Sequence, residues 1–256
     1  SFTTVSSATQ TINQGTLTLT KTTDSPSGNI VLQGSGLTLG KFTLKAAGEK
    51  LKIENLKVQA AITGSASLVQ SLAAIRNGAI FANGVQVGST AEIKGSGNGL
   101  GYTQYYFGSA LIVEPGHDVT LEVRGDVYNT GATSTLSNFT SSDTIIINVL
   151  AGLSNVYKQS SYGYISSGAV AGNSMTVSSG SMTVSKATSY ANQIVTVPQT
   201  AFKIGEYNVT TGSTEALNLN QFTLAFTGAT AYVPSLQDVY VVYGSKTTVI
   251  KASVAS

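Results

Sequence analysis

Apolar residues recur at every second position along most of this chain. TLTLT (16–20), KFTLK (41–45), LKIENLKV (51–58), DVTLEV (118–123), MTV (175–177 and 182–184), VTV (195–197), FTLAF (222–226) and YVVYG (240–244) all alternate this way. A period of two puts neighbouring side chains on opposite faces of a pleated strand, so these segments predict half-buried strands. Gly, Ser and Asn punctuate them, as in GSG, NG and the Gly-rich GSGNGLG (95–101), which reads as a hairpin loop. Only SASLVQSLAAI (65–75) is open to a helical reading, and it is short and flanked by Gly. Strands at this close spacing predict an all-β chain built of antiparallel sandwiches, Ig-like or jelly-roll-like.

The pattern also repeats. GTLTLTK (15–21) aligns with GSMTVSK (180–186), and NIV (29–31) with QIV (193–195). LGKFTLKAAGEKLKIENLKV (39–58) aligns with IGEYNVTTGSTEALNLNQFTL (204–224), with one extra residue in the second copy. Leu51, Ile53, Leu56 and Val58 then correspond to Leu217, Leu219, Phe222 and Leu224. Strand alternation alone does not preserve the spacing of Gly40 and Gly205, or of Glu49 and Glu215. The expected organisation is an N-terminal strand (1–14), a first sandwich (15–165) and a second, shortened sandwich (166–256). The second copy has no counterpart to residues 92–155. Either it is a smaller self-sufficient sandwich, or another chain completes it.

Composition narrows the setting. Charged residues are only 10% of the chain, and the net charge is +2. The polar surface therefore comes from Ser, Thr, Asn, Gln and Gly, which suits secreted or fibrous proteins and opposes self-association only weakly. Lys41, Lys45, Lys50, Lys52 and Lys57 are interleaved with Glu49 and Glu54 and read as a solvated strand face. No basic patch suggests nucleic acid as a partner. The chain has no Cys, which excludes a disulfide scaffold but not export. Ser1 stands first with no signal-like segment after it, so an exported chain would already have lost its signal. The longest apolar run, IIINVLAG (145–152), is too short to span a bilayer.

FTLKAAGEKLKIENLKV (42–58), followed by LIVEPGHDVTLEVRGDV (111–127), resembles tandem β-sandwich repeats of secreted bacterial surface proteins of the candidate-phyla type. The family pattern falls on Phe42 to Leu56 and on Pro115 to Asp126. That resemblance implies a fold and carries no catalytic residues. A looser, architectural similarity is to TasA-like and archaeal thread-like fibre subunits. It implies polymerisation by insertion of a strand of one subunit into the next.

Candidate chemistry is sparse. His117 is the only His, and in EPGHD it reads as a turn residue. No G-x-S-x-G elbow accompanies it, so no triad is assembled. One His and no Cys do not make a transition-metal site. Glu114, Asp118, Glu122 and Asp126 are spread along a strand and do not converge on a calcium ion. Arg124–Asp126 spells RGD, an adhesion tripeptide by chance more often than by design. Asn138 and Asn208 head sequons and are candidate N-glycosylation sites, which makes glycans a candidate partner. Tyr105, Tyr106, Tyr157, Tyr162 and Tyr164 fall in or beside loops and suit sugar or protein contact.

The expectation is a non-enzymatic extracellular subunit, without cofactor or metal, that polymerises head to tail with copies of itself. The N-terminal segment SFTTVSSATQTIN (1–13) has neither charge nor Pro and is the expected donor strand. Phe2, Ala8 and Ile12 fall on one of its faces, with Val5 opposite. The alternatives are a surface-layer protein and an adhesin or carbohydrate-binding module.

Overall fold

In the computed structural model, every regular element among the described residues is a β-strand. The structure describes residues 3, 6–8, 14–64, 74–96, 101–128, 138–226 and 236–253. The first strands are β1 (Thr16–Lys21), β2 (Gly28–Val31), β3 (Gly34–Ala47), β4 (Leu51–Ile53), β5 (Asn55–Thr63), β6 (Ala74–Ala82) and β7 (Val85–Lys94). Next come β8 (Thr103–Tyr106), β9 (Ile112–Val113), β10 (Asp118–Val127), β11 (Thr144–Leu150), β12 (Val156–Lys158), β13 (Tyr164–Ile165), β14 (Val170–Ala171) and β15 (Met175–Ser178). The last are β16 (Met182–Lys186), β17 (Tyr207–Thr211), β18 (Gln237–Val239), β19 (Val242–Tyr243), β20 (Lys246–Thr247) and β21 (Lys251–Ser253). The chain divides into two units, Ser1–Leu217 and Asn218–Ser256. The second unit holds two short ribbons, β18–β21 and β19–β20.

In the first unit, three sheets share one core in a sandwich-like packing. Their orders are β1-β3-β10-β6-β7, β2-β15-β11-β5-β8 (with β14 also on β11) and β13-β12-β4-β9. All pairs are antiparallel except β2 with β15. Alternation explains which side chains meet: Ile145, Ile147 and Val149 of β11 are buried, as are Leu56, Val58 and Ala60 of β5. Phe42 and Leu44 of β3 and Leu121 and Val123 of β10 join them. A bulge sets Leu39 beside Gly40, where β10 shifts register between Val123 and Arg124, and both residues turn inward. The Phe42 ring covers Gly40 so closely that a Cβ there would lie 3.1 Å from Cε2.

Glu49 ties three distant pieces of backbone together and is only 9% exposed. Its carboxylate accepts from the Ser161 hydroxyl at 2.6 Å, and from the backbone N–H groups of Ser161, Ser160 and Gly15 at 2.8, 2.9 and 3.3 Å. It therefore does not belong to the solvated face on which the sequence seemed to put it. The lysines around it do: Lys45 pairs with Asp118 at 2.9 Å, Lys50 with Glu114 at 2.5 Å and Lys52 with Glu54 at 2.8 Å.

Several expectations shift. The first sandwich does not stop at 165, because β14 and β15 hydrogen-bond to β11 and β15 also pairs with β2, which carries that sheet to Ser178. Most of GSGNGLG lies outside the described residues, and β7 and β8 on either side of it belong to different sheets. Most of the ambiguous 65–75 segment lies outside the described residues, and its last two residues open β6. VTV (195–197) and FTLAF (222–226) alternate but form no strand.

The β16–β17 ribbon reproduces the β1–β3 pairing 165 residues later: Leu17 faces Ala46 as Met182 faces Thr211, and Lys21 faces Phe42 as Lys186 faces Tyr207. The flanking bonds match too. Thr22 N–H donates to the Lys41 carbonyl as Ala187 N–H donates to that of Glu206, at 3.2 and 2.9 Å. Gly180 N–H donates to Glu215 Oε1 at 2.7 Å, as Gly15 does to Glu49. Tyr207 covers Gly205 as Phe42 covers Gly40, again with 3.1 Å from the Cβ position to Cε2.

The Glu49 clasp gives a pH signature. Chiefly through the Ser161 hydroxyl, then the surrounding N–H donors, its pKa falls from an ordinary 4.5 to about 2. A depressed acid stabilises the fold fully above its unfolded value and loses that contribution as pH drops through its folded value. Glu49→Gln is expected to lower Tm at pH 7, and the gap to the parent should narrow as pH falls from 4.5 to about 2 in thermal melts.

Candidate functional site

The β16–β17 ribbon exposes what its counterpart buries. Leu44 is 0% exposed and Val209 46%, while Leu51 is 0% and Leu217 36%. Ile30 is 7% exposed, whereas Ile194 lies fully in solvent. Met182, Val184 and Tyr207 on the same ribbon are also exposed. The cause is pairing. β3 lies between β1 and β10, so both of its edges are hydrogen-bonded and its inner face is covered. Among the described residues, β17 pairs with β16 alone. Exposed apolar side chains thus lie beside an edge of β17 that pairs with no described strand.

A groove of about 490 Å³ opens beside this ribbon, lined by Lys186, Tyr190, Gln193, Val195, Phe202 and Ile204 among others. Its charge is nearly balanced. Lys203 pairs with Glu206 at 2.7 Å and lies 5.4 Å from the centre of the Tyr190 ring, and Lys186 donates to Asn192 Oδ1 at 3.0 Å. The Tyr190 hydroxyl donates to the Lys203 carbonyl. The surface offers apolar contact and backbone hydrogen bonding, with no clustered acid, base or nucleophile. Among the described residues, no group of His, Cys, Asp or Glu is placed to hold a metal. None of them forms a helix long and apolar enough to cross a membrane.

Of the proposed donor residues, Phe2, Val5 and Ile12 lie outside the described residues, and Ala8 is exposed and in no strand. Asn208 is exposed on β17, while Asn138 is half-buried with its Oδ1 out of reach of solvent. His117 sits in an exposed turn, its N–H donating to the Glu114 carbonyl at 3.2 Å. The RGD tripeptide is built into β10. Asp126 is buried and accepts from Gly36 N–H at 2.6 Å and from the Asn77 amide, and Arg124 pairs with Glu122. The carboxylates of β10 serve the fold in this way.

The tyrosines divide. Tyr105 is buried in β8, donates to the Ala91 carbonyl at 3.0 Å, and has its pKa pushed up by burial. Tyr106 ends β8, Tyr157 is in the three-residue β12 and Tyr164 opens β13, so they stand in short strands beside loops. Sequence reasoning missed Glu49 as a clasp. The signal was its spacing from Gly15, repeated by Glu215 and Gly180.

Burial at matched positions is testable. Leu44→Ala should cost about 2–5 kcal/mol of unfolding free energy, as buried leucines do. Val209→Ala should change it by less than about 0.5 kcal/mol in the isolated chain. Chemical denaturation of the two variants measures both. Comparison with protein-family models, curated proteins and solved structures finds no match to this chain.

Proposed function

We propose that this protein is the structural subunit of an extracellular filament, polymerising head to tail by β-strand donation. In this reading, residues 180–253 are a shortened copy of the first sandwich, and a strand from a neighbouring subunit completes it. One observation carries the proposal: the β16–β17 ribbon keeps the register of β1–β3 but leaves exposed the apolar positions that β3 buries. Added strands supply backbone hydrogen bonds along a free edge and side chains for the pockets beside it. A contact between two different surfaces of identical subunits propagates as an open fibre unless its rotation closes a ring. The low charge of the chain offers little repulsion between copies. The role is structural and non-catalytic, and Asn208 is the better exposed of the two glycan acceptors.

A second reading, a carbohydrate-binding module, is favoured by the tyrosines of β12 and β13. The Tyr157 and Tyr164 rings lie 5.2 Å apart at 60°, with Lys52 Nζ 5.5 Å from the centre of Tyr157. Tyr164 and Tyr162 are exposed beside them. Such rings offer an amphipathic face to a sugar.

The experiment is negative-stain microscopy and sedimentation of the purified protein and of a variant lacking residues 1–12. Fibres are expected from the parent, and a folded monomer from the truncated chain. Fibres from the truncated chain would rule out the N-terminus as donor. A parent that stays monomeric and binds glycans on an array through Tyr162 and Tyr164 would favour the second reading.

A further inference from the structure

In the first sandwich, β2 exists as a strand because β15 lies parallel against it. Met175 faces Gly28, Thr176 faces Asn29, Val177 faces Ile30 and Ser178 faces Val31. Val177 is fully buried there, and Ile30 nearly so. Asn173, just ahead of β15, fastens the same place. It accepts from Lys21 Nζ and donates through Nδ2 to the Ser25 carbonyl at 2.9 Å.

The matching place beside β16 lacks this strand. Lys186 takes the position of Lys21 in the ladder, and Tyr190 takes that of Ser25, since Tyr190 N–H donates to Ala187 as Ser25 N–H donates to Thr22. Gln193, Ile194 and Val195 stand where Asn29, Ile30 and Val31 stand. These residues form no strand, and Ile194 is fully exposed. Lys186, Tyr190, Gln193 and Val195 all line the 490 Å³ groove. The groove thus lies where Asn173 and β15 lie in the first sandwich.

The chain carries a second version of β15. MTVSS (175–179) is matched by TTVSS (3–7), so Thr4–Ser7 repeats Thr176–Ser179 residue for residue. Thr3 replaces Met175, and Val5 falls at the position of buried Val177. The segment has no charge to conflict with Lys186, Lys203 or Glu206.

We infer that Thr3–Ser6 of a second copy of this chain lies in that groove as a parallel strand, with Val5 against Ile194 and Thr4 against Gln193. This deepens the filament reading and rests on it. It assigns the donor to the position of β15, beside 192–195, and not to the open edge of β17. Thr3–Ser6 would convert 192–195 into a strand, as β15 does for β2, and would bury Ile194 and Val5 against each other.

The protein has no Cys, so engineered thiols report cleanly. Full-length Val5→Cys and Ile194→Cys chains carrying different tags are mixed under assembly conditions and oxidised. Because Ile194 is exposed, its substitution leaves the isolated chain intact. A mixed disulfide dimer is expected as the main product, several-fold above the yield from Val5→Cys with Val209→Cys. Thr4→Cys with Gln193→Cys should behave like the first pair. A preference for Val209 would overturn the register, and fibres persisting in the parent would show that strand donation itself survives. A double Val5→Cys, Ile194→Cys chain that links only within itself would overturn the second-copy assignment. A parent that forms neither fibres nor mixed dimers would remove the filament reading along with the register.

Discussion

A β-strand holds its shape only when its backbone N–H and C=O groups are paired, and an exposed edge leaves a full row of them open. In this protein, that requirement separates one half of the chain from the other. β3 is bonded by β1 along one edge and by β10 along the other, and its inner face can then bury Phe42 and Leu44. β17 has the same register toward β16, the same glycine under an aromatic ring and the same glutamate clasp at the start of its partner. Among the described residues it pairs with β16 alone, and its Val209 is exposed. The two ladders thus share local features, while no second described strand lies beside β17.

The same constraint explains how much could be read from the residues. Alternation correctly located β3, β5 and β10, each of which lies between two other strands. It marked VTV at 195–197 and FTLAF at 222–226 just as clearly, and neither forms a strand. Period two reports which face a strand would bury, but says nothing of whether a partner is present, because the partner comes from distant sequence. The end of the first sandwich was hidden for this reason. β15 belongs to it through a parallel pairing with β2, nearly 150 residues earlier in the chain.

The polar residues teach a similar lesson. Glu49 and Glu215 matched in the sequence alignment, and each accepts the N–H of a matched glycine, Gly15 or Gly180. The other donors to Glu49, at Ser160 and Ser161, are 111 and 112 residues away, and no local pattern announces them. Glu122 and Asp118 of β10 make salt bridges to Lys41 and Lys45 of β3, and Glu114, ahead of β10, makes one to Lys50. Glu114, Asp118 and Glu122 thus found structural partners. Asp126 did so by burial, which takes the RGD tripeptide out of display.

The Glu49 carboxylate also governs how the molecule would bear tension. It grips Gly15, the residue just before β1, and holds it to the turn at Ser160 and Ser161. A pull on the chain ahead of Gly15 meets this anchor before it can peel Thr16 away from Ala47, the first rung of the β1–β3 ladder. Load entering there passes sideways into the sheet that holds β4 and β12, and the ladder is spared from unzipping one bond at a time. Gly180 and Glu215 repeat only the glycine bond of this anchor ahead of β16, so the first ladder is the more firmly fastened where the chain enters it.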